Sequence, residues 1–198
     1  MHISEGVLSP SILLAGSLFS LSGLILGLKN LRTEKIPEIA VFSSAFFVAS
    51  LIHIPIGPTS AHLVLNGIIG LLLGWATFPA IFLGLLLQAL LFQFGGLTTL
   101  GVNTFAMALP PVVLGYIFRK FLQKEKISLT FISSFLVGFL SIIFSAILIG
   151  FALYFTEKSF VPVIITLLGA HFPIAIIEGF ITGFIVVYLL KVKPEVVL

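Results

Sequence analysis

LTFISSFLVGFLSIIFSAILIGFALYF, residues 129–155, runs without one charged side chain. As a helix it covers roughly 40 Å, more than the ~30 Å hydrocarbon core of a bilayer. Lipid offers no hydrogen-bond partners, so a chain crossing it must satisfy its own amides and carbonyls, and this stretch reads as a membrane-spanning helix. The rest of the sequence agrees. Of its 198 residues, 59% are hydrophobic and 9% charged. A water-soluble domain of this size would run out of polar surface. The 21 Phe and 18 Gly suit helices packed closely in lipid. Cysteine is absent, which excludes a disulfide framework, a thiolate metal site and a cysteine nucleophile.

Working outward, seven spans are predicted: 9–28, 39–54, 63–74, 77–94, 104–118, 129–155 and 160–190. The third covers only roughly 18 Å, so it is expected to begin inside the bundle, where irregular backbone is tolerated. The last contains Pro162 and Pro173 and is expected to tilt or kink. The fold class is therefore all-α, a polytopic membrane protein forming one unit over 1–198. The first residues carry no Lys or Arg and the first apolar stretch is long enough to span, so no cleavable signal peptide is expected. His2 is too bulky for ordinary removal of Met1, which is expected to stay.

Lys29, Arg32 and Lys35 follow the first span, Arg119, Lys120, Lys124 and Lys126 the fifth, and Lys191 and Lys193 the seventh. Nine of ten positive residues thus fall on one side, with Lys158 opposite. The positive-inside rule makes that side cytoplasmic, with the N-terminus outside and the C-terminus inside the plasma membrane. Fusing 63–94 into one span would put six of those positives outside, so the Gly74-Trp75…Pro79 interruption reads as a cytoplasmic turn. Basic residues placed at span ends argue against nucleic acid as a partner. The short loops hold no phosphate cradle, so uphill transport would need ATPases on other chains or an ionic gradient.

Three features share the outer side: Met1-His2, the loop 55–61 leading to His62, and the glycine-rich loop 95–103. A free α-amine, the next backbone nitrogen and a histidine ring nitrogen chelate one cation through two fused rings. A planar nitrogen set suits Ni(II) or Cu(II), and imidazole also suits Co and Zn. A fourth donor would close the square. Gly57-Pro58 forces a turn, and Thr59 or Ser60 is expected to cap a helix starting there, placing His62 as that donor. His53 is either a further donor or an interfacial residue. Asn66, one turn below His62, is placed either to orient its ring or to bond to a neighbouring helix. Glu5 is placed to accept from an imidazole N–H. The loop 95–103 reads as a lid or as an ordinary connection, with Asn103 as its leading polar contact.

Other polar residues lie within the spans. Gln88 and Gln93 are expected to bond to neighbouring helices. His171 and Glu178 share one face of span seven and read either as an ion relay or as a structural pair. Gly23…Gly27 and Ala45…Ala49 have the spacing of close helix contacts, internal or with a partner.

The opening 1–10 (MHISEGVLSP), 53–62 (HIPIGPTSAH) and 93–107 (QFGGLTTLGVNTFAM) together resemble the substrate-binding membrane (S) subunits of cobalt and nickel energy-coupling-factor importers, the CbiM/NikM family. The likeness runs in order over residues 1–110, with a weaker match in hydropathy and in His171…Glu178 beyond. It implies a seven-helix subunit holding the metal through the Met1 amine, the backbone and ring nitrogens of His2, and the His62 ring. It implies a transmembrane coupling subunit, cytoplasmic ATPases and a small accessory membrane subunit as partners, with Co(II) or Ni(II) as cargo and no nucleotide on this chain. Many relatives carry Met or Pro where this chain has Ser4, a departure that removes no ligand. The motif variant is closer to the cobalt branch, which feeds cobalamin synthesis, than to the nickel branch. The rival reading is a secondary transporter with a His171–Glu178 relay. An enzyme is not expected, because histidines are few and no HExxH pattern is present.

Overall fold

Pro10 opens α1 (Pro10–Lys29), its fixed φ suiting a first helical turn that needs no amide partner. The computed structural model describes all residues except 30, 32, 52, 124 and 198, so Arg32 and Lys124 of the charge count lie outside the described residues. After α1 come α2 (Ile36–Ala49), β1 (His53–Ile56), β2 (Thr59–His62), α3 (Asn66–Leu73), α4 (Thr77–Phe92), α5 (Leu100–Phe118), α6 (Ile127–Thr156), α7 (Val161–Val192) and the short α8 (Pro194–Val197). Five stretches are long and apolar enough to cross a membrane: Pro10–Lys29, Asn66–Phe92, Leu100–Phe121, Ile127–Thr156 and Lys158–Val192.

The stretch Asn66–Phe92 is broken in its middle. Asn66 begins α3 inside the bundle, donating to the Met107 carbonyl on α5 and to Ser145 Oγ on α6. Leu73, Gly74 and Trp75 then reach a cavity whose wall also includes Lys35, Arg119 and Glu195. From there α4 returns to the opposite end, where Phe94 packs on His2. The chain therefore reverses at 74–76, beside basic residues. At the bundle centre Gly138 of α6 is squeezed between neighbours. A Cβ there would lie 2.6 Å from the Glu178 carbonyl of α7, and one on Gly67 of α3 would lie 2.5 Å from Gly138 Cα. Three helix backbones thus meet without intervening side chains. The Gly23…Gly27 stripe is used internally as well, against Phe78 and Trp75. Gln88 donates to Ser50 Oγ, as expected for an amide between helices.

The all-α expectation needs correction at the end away from the basic residues. Span two stops at Ala49, and the supposed loop 55–61 belongs to an antiparallel hairpin in which His53 faces His62 and Ile56 faces Thr59. Gly57, at φ +54°, takes the first central position of a two-residue turn with Pro58, the place where a II′ hairpin demands glycine. Thr59 and Ser60 therefore cap no helix, and α3 starts four residues beyond His62. The loop 95–103 is also shorter than expected. Helix α5 already begins at Leu100, so Asn103 stands on its first turn.

Candidate metal centre

The N-terminal segment is held as a third strand would be. Ile3 pairs with Thr59 of β2, and the Ser4 amide donates to the Pro58 carbonyl at 2.9 Å. On the other flank the Asn103 carboxamide clamps Ile3 from both sides. Its Oδ1 accepts the Ile3 amide at 2.9 Å and its Nδ2 donates to the Ile3 carbonyl at 3.0 Å. Thr99 Oγ1 donates to that same carbonyl at 3.0 Å, and Thr59 Oγ1 to the His2 carbonyl at 3.0 Å. The Glu5 amide donates to the Gly95 carbonyl. Residues 1–3 are buried, and the fully enclosed Met1 side chain is packed into the core. Burying a Met side chain contributes about 1.5–3 kcal/mol, which helps anchor an end that would otherwise fray.

This clamp brings His2 against His62. Their rings lie 5.1 Å apart, with His2 Nδ1 3.2 Å from His62 Nε2. His62 Nδ1 donates to the Leu63 carbonyl at 2.7 Å, which leaves the Nε2 lone pair aimed at His2. Among the described residues the His2 amide nitrogen has no hydrogen-bond acceptor. Burial pushes the Met1 amine well below its usual range. Burial, then the amine's charge, then His53 lower His2. Burial again dominates at His62, with the amine, His2 and weakly His171 adding to it and the Leu63 carbonyl opposing. Burial thus disfavours the protonated form of all three groups, and neutral amine and imidazole nitrogens suit a borderline metal ion rather than an anion. No cluster of three or more His, Cys, Asp or Glu side chains able to hold a metal ion exists among the described residues.

The remaining predicted residues fall around this centre in unequal roles. His53 packs edge-on against Phe94 at 4.1 Å, while its Nδ1 lies 3.3 Å from the Leu51 carbonyl. Phe94 in turn stacks on His2 at 6.3 Å, so one ring contacts both histidines. Asn66 makes no hydrogen bond to His62: its Nδ2 donates to the Met107 carbonyl and to Ser145 Oγ, and its Oδ1 has no partner among the described residues. Glu5 receives the Thr98 amide and no imidazole, since its side chain reaches the 95–99 turn first. His171 and Glu178 do not form a pair: His171 Nδ1 donates to its own helix at Leu167, and Glu178 accepts the Val64 and Leu65 amides. Phe94, Thr59, Thr99 and Leu63 were missed from sequence. Only Thr99, four residues before Asn103, carried a signal, as a helical neighbour on one face.

Asn103→Leu removes both clamp bonds and leaves the Ile3 amide unpaired in a buried site. Its metal affinity is expected to fall 10–100-fold, the usual effect of losing a partner that orients ligands, as read by calorimetric titration with Ni(II). An unchanged value would mean that the clamp does not set the ligand geometry.

A profile of the family described as cobalt uptake substrate-specific transmembrane region matches residues 2–196. A Haemophilus influenzae protein provisionally named a metal transport protein is 41% identical, over 99% of this chain and 96% of its own length. The Thermosipho melanesiensis cobalt transport protein CbiM is 35% identical over 92% of this chain and 83% of its own length. The crystal structure of a transition metal transporter superposes with a TM-score of 0.78 at 29% identity, covering 98% of this chain and 95% of that one. These relatives are named for the transport of metal, cobalt among them, and the chain belongs to the cobalt uptake substrate-specific transmembrane family.

Proposed function

We propose that this chain captures Co(II) or Ni(II) as the substrate-binding subunit of an ATP-driven energy-coupling-factor importer. The carrying observation is the 3.2 Å approach of His62 Nε2 to His2 Nδ1 beside a buried terminal amine. With metal–nitrogen bonds of about 2.0 Å, adjacent corners of a coordination square lie about 2.8 Å apart and opposite corners about 4 Å. The two fused chelate rings of Met1-His2 set the His2 amide between the amine and Nδ1, so the vacant corner adjoins Nδ1. A separation of 3.2 Å is an adjacent-corner distance, and a cation drawing both rings inward closes the remainder. Four nitrogens result: the Met1 amine, the His2 amide, His2 Nδ1 and His62 Nε2. Intrinsic affinity would favour Cu(II), so selection between metals rests on geometry and supply.

In this reading 1–198 is one unit of seven membrane helices, α1 to α7, in the plasma membrane. The hairpin end faces outward and the C-terminus lies in the cytoplasm. Lys29, Lys35, Arg119 and Lys191 at the opposite end support that orientation. A transmembrane coupling subunit, cytoplasmic ATPases and a small accessory membrane subunit supply the energy. Glu178, being engaged with backbone amides, favours this reading over a His171–Glu178 relay.

Titration of the purified chain with Ni(II) or Co(II), run calorimetrically in buffers of different ionisation enthalpy, tests the assignment. One ion per chain is expected. Burial has already lowered the amine and both imidazoles, so between pH 7 and 8 about one proton, from the His2 amide, should leave per metal bound. Release of about two would mean that the amine is protonated and solvent-exposed like an ordinary chain terminus, and no binding would end the proposal. A stability effect follows with a definite sign. These groups bind fewer protons folded than unfolded, so the metal-free protein loses stability as pH falls through the ordinary amine and imidazole ranges, about 8 and 6.5. The Tm without metal should drop on going from pH 8 to 5.5, whereas a pH-independent Tm would contradict the buried neutral centre.

A further inference from the structure

Glu178 is fully buried on α7, and no cation pairs with it among the described residues. Its carboxylate is turned instead onto the chain that leaves β2. Oε1 accepts the Val64 amide, and the Leu65 amide donates to Oε1 at 2.9 Å and to Oε2 at 3.0 Å. That segment needs an outside acceptor. Helix α3 starts in the bundle interior, its first donors have no helical carbonyls, and water is scarce there. The residue at its cap is Leu65, which has no side-chain acceptor and sits at φ +57°, a left-handed conformation that L side chains rarely adopt. An anion at the positive end of a helix is the favourable partner, and charge-assisted bonds of this kind are roughly twice as strong as neutral ones.

The same two amides adjoin the metal ligand. Leu63 lies between His62 and Val64, and its carbonyl receives the His62 Nδ1 proton. We infer that Glu178 is the positioning residue for His62: by holding the Val64 and Leu65 amides it fixes the Leu63 carbonyl, and through it the tautomer and aim of Nε2. The inference rests on the metal reading above. Packing makes the hold rigid. Gly138 touches the Glu178 backbone on one side and Gly67 of α3 on the other, so α7 cannot slide against α3 without opening a close three-helix contact. The ligand turn is consequently tied to α7, and displacement of α7 relative to the hairpin would reach His62 directly.

Glu178→Gln keeps the shape but removes the charge and turns one acceptor into a donor. Stopped-flow transfer of Ni(II) from the loaded protein to a chelator should run 10–100-fold faster, with a changed ligand-field spectrum, because a misaimed Nε2 weakens one corner. Thr130→Val is the control for mere destabilisation. It breaks the bonds between the buried Thr130, at the start of α6, and Gln123, at the basic end of the bundle, so it should lower Tm while leaving Ni(II) release and the spectrum as in the unaltered protein. If Glu178→Gln fails to fold, Glu178→Asp retains the charge with a shorter reach and should still release Ni(II) several-fold faster. Unchanged release and spectrum in the folded Glu178 variant, with Tm alone lowered, would overturn the inference and leave the metal site standing. Absence of Ni(II) and Co(II) binding by the unaltered chain would instead remove the site itself.

Discussion

One extra residue ahead of Met1 is expected to reduce Co(II) and Ni(II) affinity by more than about 1,000-fold. Two physical effects coincide. The basic amine becomes a peptide nitrogen, which removes a corner donor and one fused ring of the chelate. The end of the chain is also enclosed, with Met1 fully buried, so the added residue has no room and must displace the Ile3–Thr59 pairing or the Asn103 clamp. A cleavable extension separates a blocked site from a damaged protein: cutting it back to a free Met1 should restore full affinity in the same sample. Binding by the uncut form equal to that of the free form would disprove the terminal chelate.

His62→Ala should cost about 100-fold or more, beyond the 10–100-fold typical of residues that only orient a ligand. Its Nε2 lies 3.2 Å from His2 Nδ1, and among the described residues no other imidazole bonds to His2. His53 is the obvious substitute, being its partner across the hairpin, yet its ring packs edge-on against Phe94 at 4.1 Å and its Nδ1 lies 3.3 Å from the Leu51 carbonyl. His53→Ala is therefore expected to change affinity less than about threefold, within the modest range of a lost packing contact. Parallel titrations decide the matter, since equal losses in the two variants would mean that the ligand is misassigned. Loss of His62 should also raise the number of waters on bound Co(II), seen as a shift of its visible spectrum away from that of a four-nitrogen site.

The apolar spans were readable because lipid imposes one solution on backbone hydrogen bonding, and hydropathy records it. Helices α1, α6 and α7 begin and end within two residues of their expected positions, and the break before α4 was visible in Gly74 and Pro79. The hairpin 53–62 was not readable as strands. It holds Pro55 and Pro58, which argue against a ladder in general, and only the pairing of Ile3 with Thr59 shows why an extended segment is used there. Asn66, Asn103 and Glu178 were all recognisable as polar residues in costly surroundings, but their partners lie 41, 100 and 113 residues away. Spacing along one helix suggested Glu178 with His171, whereas contact across helices joined it to Leu65.

The amino-acid order alone determined a helical chain of apolar spans and sorted its basic residues toward one end, because hydropathy and charge placement are local properties; the chelate proposed for its first dipeptide is local in the same sense. Which histidine meets that dipeptide, what clamps the terminus, and what acceptor steadies the ligand turn were decided by tertiary structure. Those contacts depend on where α5, α7 and the hairpin come to rest, and burial then converts ordinary amides and imidazoles into committed partners.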